Sequence, residues 1–306
     1  VIQNIVDHFY FVERGWLNAN HFVFNGNNKV LIDTGYKKHL DDTFYLIRQT
    51  GLEPEKVELI ISTHAHCDHI GGNKAIYDLS GCAIAMHSID RYNIEKKNDW
   101  NTWWRYFVQE ADFFPVSRSL EDGEVILLDK LELILIHTPG HASGMISLYS
   151  PEHRFLISSD TVWNGDFGVL NIRVEGSISP FLQQKSLEKL AKLDISTIYP
   201  GHGSIIYTAR KAIYQCQKRL EYFLEQPERI GRDLLKKILL YTLLMKPGYT
   251  YEGLFEYIMS TFWYLETVDF YFKKQYRSVY EDVMKELIEK KLVLRDSEGL
   301  VTKLKA

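Results

Sequence analysis

The chain has 306 residues, 45 % of them apolar and 25 % charged, enough to bury one large core or two ordinary ones. A formal net charge of −4 argues against a whole-molecule footprint on nucleic acid or on an anionic membrane, and no run of roughly 18 uncharged apolar residues marks a transmembrane helix. Three scattered cysteines, Cys67, Cys82 and Cys216, are too few for a disulfide framework, and the opening VIQNIVDHFYFVERGW lacks the basic start and apolar run of a secretory leader, so a cytoplasmic protein is expected.

The first strand signals are Phe22–Asn25 and Lys29–Asp33, joined by a Gly26-Asn27-Asn28 turn. A helical pattern over Leu40–Gln49 leads to the strand Val57–Ser62, then to a helix over Ile70–Tyr77 and a strand over Cys82–Met86. Residues 91–119 are dense in Trp, Phe and Tyr mixed with charge, and read as a helical insertion between strands. Strands follow at Val125–Leu128, Leu131–His137, Met145–Tyr149 and Phe155–Ser158, then a helix over Leu182–Leu193 and a strand over Ile195–Tyr199. Strands and helices interleave, yet several strand pairs share tight turns, which predicts mixed sheets covered by helices: an α/β fold (α+β by some schemes).

Beyond about Thr208 the strand signals nearly vanish. Helices are expected over Ala209–Gln226, Arg229–Lys246, Glu252–Ser260 and Ser278–Lys291, with a break at Pro247-Gly248 and a terminal hairpin over Leu292–Leu304 turning at Asp296–Gly299. This order predicts a larger domain over 1–226 and a smaller, winged-helix-like one over 227–306. In the latter, Val279, Val283, Met284, Leu287 and Ile288 share one face of the last helix, as a core-packing helix requires.

The chemistry is concentrated after the apolar run VELII, in Ser62-Thr63-His64-Ala65-His66-Cys67-Asp68-His69-Ile70-Gly71-Gly72. Imidazole nitrogen and carboxylate oxygen are the ligands a borderline divalent metal takes in a catalytic site, and this spacing is neither a zinc-protease pair on a helix nor a zinc finger. A loop can turn His64 and His66 one way and Asp68 and His69 another, which suits two metals about 3.5–4 Å apart. Further candidates each follow a strand signal: His141 in TPGH, Asp160 closing FLISSD and His202 in PGHG. Loops after strands gather at one sheet edge.

HAHCDH, TPGH, SSD and YPGHG, in that order, resemble the successive motifs of the metallo-β-lactamase superfamily, and Ile32–Gly35 resembles its early strand-turn motif. The resemblance implies a four-layer αββα sandwich with two divalent metals at one edge. By position, His64, His66 and His141 would hold the first metal, Asp68, His69 and His202 the second, and Asp160 would bridge them. Zinc is the expected metal, though iron and manganese tolerate the same ligands. Two positions depart from the pattern: Ser159 where glycine is usual before the bridging aspartate, and Ala142 where Thr or Ser is common. Cysteine is nowhere a ligand, so antibiotic degradation is not expected. A bridging hydroxide would attack a carbonyl carbon (or phosphorus), with Asp68 as the group that accepts or passes the proton.

Around this centre, Asp33 is expected to hold a ligand imidazole, His137 to orient its loop, and Cys67 to pack away from the metals. His87 either reaches the pocket or is structural. Trp100, Trp103, Trp104, Tyr106, Phe107, Trp163 and Phe167 either line an apolar substrate pocket or cap the core, and Arg173 either pairs with a substrate anion or sits on the surface. The Asp160–His202 interval, about 40 residues, is short of the roughly 50 of a minimal inserted domain. A small ester, thioester or lactone is therefore the expected substrate. The alternative is an endoribonuclease or phosphodiesterase of the β-lactamase-like 2 type, suggested by the winged-helix-like end. The C-terminal region would complete the substrate cleft or support a homodimer, in preference to binding nucleic acid.

Overall fold

The computed structural model describes residues 1–295 and 299–304. Its strands are β1 (Ile2–Val6), β2 (Phe9–Val12), β3 (His21–Asn25), β4 (Lys29–Ile32), β5 (Leu59–Ile61), β6 (Ala83–His87), β7 (Arg118–Leu120), β8 (Val125–Leu128), β9 (Leu131–His137), β10 (Ile146–Ser150), β11 (Phe155–Ser159), β12 (Thr197–Pro200), β13 (Val293–Arg295) and β14 (Leu300–Thr302). The helices are α1 (Leu40–Gln49), α2 (Cys67–Ile70), α3 (Asn73–Ser80), α4 (Ser88–Glu95), α5 (Ser179–Leu190), α6 (Ala209–Glu225), α7 (Glu228–Met245), α8 (Tyr251–Ile258), α9 (Phe262–Phe272) and α10 (Tyr276–Glu289).

Seven strands, β1 to β7 in chain order, form one sheet, antiparallel up to β4 and parallel from β4 to β7. A second sheet runs β12-β11-β10-β9-β8, antiparallel except for the β11–β12 pair. The expected mixed sheets are therefore present. Side-chain alternation explains how they stack: on β9, Leu131, Leu133 and Leu135 turn inward while Glu132 is exposed. These leucines meet Phe9, Phe11, Phe22 and Phe24 of the first sheet, with Leu148, Phe155 and Ile157, in one inter-sheet core. On the outer face of the first sheet, Leu31, Ile60, Ile84 and Met86 are covered by Ile47 of α1 and Ile76 of α3. On the outer face of the second, Leu156 and Ile198 are covered by Leu187 and Leu190 of α5 and Ile213 and Leu220 of α6. That is the αββα layering. β10 and β11 are buried along their whole length because both of their faces are covered.

A fourth cluster joins Leu235, Leu239 and Leu243 of α7, Leu254 of α8, Trp263 and Val268 of α9, and Tyr280, Val283 and Leu287 of α10 to Trp103, Tyr106 and Phe107. Several expectations need correction. β1, β2, β7 and α4 carry no strong periodicity in sequence, and α9 lies in an aromatic run (FWYLETVDFYF) that is apolar on all sides, so its amphipathic signal is weak. Within residues 227–306 four helices, α7 to α10, thus precede the hairpin, where the sequence suggested three. The single helix expected over Ile70–Tyr77 is two, α2 and α3, separated at Gly71-Gly72. A Cβ on Gly71 would stand 2.2 Å from the Lys37 backbone nitrogen, so the break lets two chain segments approach. The insertion over 91–119 is helical only to Glu95. Turns follow, with Lys97, Trp103 and Val108 all at positive φ. The hairpin pairs β13 with β14, but Asp296, Ser297 and Glu298 of its expected turn lie outside the described residues.

Candidate metal centre

Five loops leave the C-terminal ends of strands at one edge of the sandwich. Asp33 follows β4, His64–His69 follow β5, His141 follows β9, Asp160 follows β11 and His202 follows β12. All seven expected ligand side chains meet there and are buried. Their donor atoms form three overlapping groups, each within 4.8 Å: His64, His66 and His141; His64, His69 and Asp160; Asp68, His69 and His202. Asp160 directs Oδ2 to His141 Nε2 at 3.4 Å and Oδ1 to His69 Nε2 at 3.5 Å, one oxygen towards each half of the cluster. Asp68 Oδ2 stands 3.1 Å from His202 Nε2.

The residues fit divalent metal on two independent grounds. Among the described residues, His69 Nε2 and His141 Nε2 are buried nitrogens without a hydrogen-bond partner, and both face the Asp160 carboxylate. Orphaned buried polar atoms are costly, and a cation removes that cost. The second ground is charge. Burial, reinforced by neighbouring histidines, holds His64 and His66 well below the ordinary imidazole range, so they offer neutral lone pairs. Burial opposes ionisation of Asp160, but His202 and His69 hold its carboxyl well below the usual range, and Asp68 is likewise held to about 2 by His69 and His202. In the metal-free protein His69 supplies the balancing charge: burial opposes its protonation, but Asp33, Asp160 and Asp68 hold it well above the ordinary imidazole range, and a divalent cation at the centre would take over that balance.

The surrounding residues fix these side chains. Asp33 accepts hydrogen bonds from the Thr63 amide (2.8 Å), the Thr63 hydroxyl (2.7 Å) and His69 Nδ1 (2.8 Å), leaving Nε2 free for the centre. His141 Nδ1 donates to the Val169 carbonyl at 2.7 Å to the same effect. Asp33 and Ser159 both adopt positive φ, 59° and 47°. The strained backbone at Ser159 explains why glycine suits this position. The serine uses its Oγ to reach Thr63 Oγ1 at 2.8 Å, with His64 Nδ1 at 3.3 Å. Gly168 lets a loop pass over His141, since a Cβ there would stand 2.5 Å from Nδ1.

Other sequence candidates sort plainly. Cys67 is fully buried in the apolar cluster beneath the first sheet. His137 bonds the Ser143 carbonyl at 2.8 Å and stacks on His87, whose Nδ1 accepts from Ile89 N at the start of α4, so neither joins the metal cluster. A cavity of about 380 Å³ opens over the site, and its walls include Trp103, Phe107 and Trp163. Trp103 packs on His66 with ring centroids 4.1 Å apart, and Trp163 Nε1 donates to Asp160 Oδ1 at 3.2 Å. The remaining substrate candidates lie elsewhere. Trp104 turns into the core and donates to the Ala65 carbonyl at 2.9 Å, Tyr106 is sealed in the C-terminal cluster, Phe167 packs against Phe223, and Arg173 faces Glu266 at 3.5 Å. The cavity walls do not include Trp100. Sequence reasoning missed Trp16, whose ring stacks parallel to His202 at 5.9 Å, and Tyr241, a buried phenol of α7 beside Asp68 that donates to the Leu17 carbonyl at 2.9 Å. It also missed Asp90, which accepts from the Ala65 amide at 2.9 Å, between His64 and His66. No local pattern marks these positions. Among the described residues, no helix is long and apolar enough to cross a membrane.

Residues 14–202 match the model of the metallo-beta-lactamase superfamily. The chain is 27 % identical over 226 residues to the beta-lactamase-like protein 2 homolog of Caenorhabditis elegans, covering 71 % of this chain and 68 % of that protein. It is 28 % identical over 171 residues to an acyl-coenzyme A thioesterase of Gallus gallus, covering 50 % of this chain and 58 % of the relative. The fold of a metallo-beta-lactamase family protein of Thermus thermophilus superimposes with a TM-score of 0.65 at 19 % identity, covering 98 % of this chain and 100 % of that one. A family match spanning every ligand candidate, on a sandwich whose loops bring those candidates together, means that this chain belongs to the metallo-beta-lactamase superfamily and is a hydrolase with a histidine and aspartate site for divalent metal.

Proposed function

We propose that the protein hydrolyses a small acyl ester, above all a thioester, through two metal ions, zinc by preference. His64, His66 and His141 would hold one, Asp68, His69 and His202 the other, and Asp160 both. The observation that carries the reading is the cavity, which opens directly onto Asp68, His66, His141, Asp160 and His202 between walls of Trp16, Trp103, Phe107 and Trp163. Such a space takes a compact acyl group and excludes water from it.

When bound, the metal pair supplies Lewis acidity and a water deprotonated near neutral pH. The rest falls to this chain. Trp103 and Trp163 confine the acyl group against the ligand edge, and Trp16 braces His202. Asp68 projects into the cavity and carries a proton from the attacking water to the leaving group. Hydrolysis breaks the carbonyl carbon–sulfur bond: hydroxyl goes to the acyl carbon and the proton to the thiol. Tyr241 anchors α7 beside Asp68, so residues 227–306, proposed here as a small separate domain, complete one wall of the cavity. A cytoplasmic setting suits such a substrate.

The test is a panel of acyl thioesters, esters and lactones against single-stranded RNA, using metal-loaded protein. Thioester turnover, lost on chelation, is the expected result. Cleavage of RNA without acyl turnover would replace this reading with the nuclease one.

A further inference from the structure

One face of α7 runs along the cavity: Asp233, Lys236, Lys237, Leu240, Tyr241 and Leu244 all line it. These positions recur at three- and four-residue intervals, so the helix acts as a ruler. Tyr241 marks the end beside Asp68. At a rise of 1.5 Å per residue, Lys236 lies about 7.5 Å and Arg232 about 13.5 Å further along the axis.

The charges on this wall fall into two groups. Arg219 and Lys237 face Asp166 and Asp233, two cations against two carboxylates, and this group is compensated. The second group is not. Among the described residues, Glu286 of α10 is the one carboxylate that receives Arg232 (2.9 Å), Lys236 (3.0 Å) and Lys290 (2.7 Å). Its carboxyl is held to about 2; burial opposes this, but bonds from Lys290, Lys236 and Arg232 prevail, so it stays ionised and, among the described residues, the group carries an excess of two positive charges. Each ammonium gives Glu286 one of its three N–H donors. Lys236, Glu286 and Lys290 line the same cavity as the metal ligands. Three cations gathered on one carboxylate repel one another, and a second anion would relieve that repulsion.

We propose that Arg232, Lys236 and Lys290 form an anion cradle for the thiol half of an acyl thioester. The substrate would then carry a negative group on its thiol, on the order of 10 Å from the scissile carbonyl along the helix ruler. The tryptophan-lined end takes the acyl group. The charged end, built from partly exposed side chains, takes the half that leaves as a free thiol. Phosphate and carboxylate both satisfy the cradle, and the two are separable by experiment. The proposal rests on the thioesterase reading above for its chemistry, but the cradle can be tested without turnover.

The binding arm uses the full chain with EDTA present and the thioethers S-methyl-coenzyme A and S-methylglutathione as probes, titrated by calorimetry. At least one should bind, weakening about tenfold in the Lys236→Ala/Lys290→Ala double variant and weakening again as salt is raised. Tighter binding of the first identifies a phosphate, and of the second a carboxylate. Affinity unchanged in the variant, or unresponsive to salt, overturns the cradle. The kinetic arm compares one acyl group on coenzyme A, glutathione and neutral N-acetylcysteamine. The ratio of kcat/KM for the preferred anionic thioester to that for the neutral one should fall about tenfold in the double variant. A parallel fall on both substrates reduces the lysines to a structural role and overturns the assignment. Intact thioether binding without turnover of any thioester would sink the thioesterase reading while leaving the cradle in place. Displacement of the thioether by single-stranded RNA that the protein then cleaves would give the cradle to a polynucleotide and overturn the thioester assignment.

Discussion

Replacing Asp33 by Asn tests whether the polar residues behind the candidate ligands set the state of the metal site. Asp33 is 1 % exposed and accepts three hydrogen bonds, from Thr63 N and Oγ1 and from His69 Nδ1. An asparagine has one acceptor oxygen, and the Thr63 backbone N–H, which cannot switch role, claims it at the Oδ1 position. The amide nitrogen then falls at Oδ2. The Thr63 hydroxyl can turn and accept. His69, which the surrounding carboxylates hold towards its charged form, can adapt only by giving up the Nδ1 proton and keeping the one on Nε2, the nitrogen that faces Asp160. Metal binding then requires the unfavourable tautomer, and the expected loss is about 10–100-fold in affinity, or about 1.4–2.7 kcal/mol. Asp33→Ala is harsher, because it leaves buried donors unmade at about 1–3 kcal/mol each, and is expected to impair folding itself. The assay is competition for zinc against a chromophoric chelator, with nitrogen NMR of His69 in the metal-free protein. Affinity within about twofold of wild type, or a His69 that still carries its proton on Nδ1, would refute the reasoning.

The two neighbouring tryptophans should behave differently. Trp103→Ala opens the cavity over His66 and His141 and should raise KM about tenfold or more with metal affinity little changed, whereas Trp104→Ala empties a core site and should cost about 3–5 kcal/mol of stability, read by denaturant unfolding. Equal effects of both on KM would undo that division. Burial, with Glu175 nearby, pushes the Asp90 carboxyl up to about 7. Its stabilising contribution is therefore full below about pH 4 and lost as pH rises through 7. Asp90→Asn keeps an acceptor for the Ala65 amide without the charge. Unfolding in chelator should show the variant gaining on wild type from pH 4 to 7, by up to about 4 kcal/mol. A constant difference across that range would mean that Asp90 ionises normally.

Much of the sandwich was legible because half-covered strands alternate and amphipathic helices repeat, as in β9 and α1. The convergence of the seven candidate ligands was legible for a different reason: each motif follows a strand signal, so local spacing already placed it at the sheet edge where the side chains meet. Residues whose roles depend on contacts far along the chain were not. Tyr241 reaches the Leu17 carbonyl across 224 positions, and nothing around it in sequence marks the encounter. The aromatic run over 100–107 illustrates the same limit. Composition showed that it packs against something, but the positive φ of Trp103 and the turns around it send adjacent indoles in different directions, one to the cavity and one to the core.

The most direct measurement is a metal titration of chelator-stripped protein, following thioester hydrolysis and bound metal on the same samples. Six buried candidate ligands divided around Asp160, the seventh, predict activity that saturates at about two zinc ions per chain, with His64→Ala and Asp68→Ala folded but inactive. Full activity with a single tightly held ion, or hydrolysis that survives removal of all metal, would contradict the account.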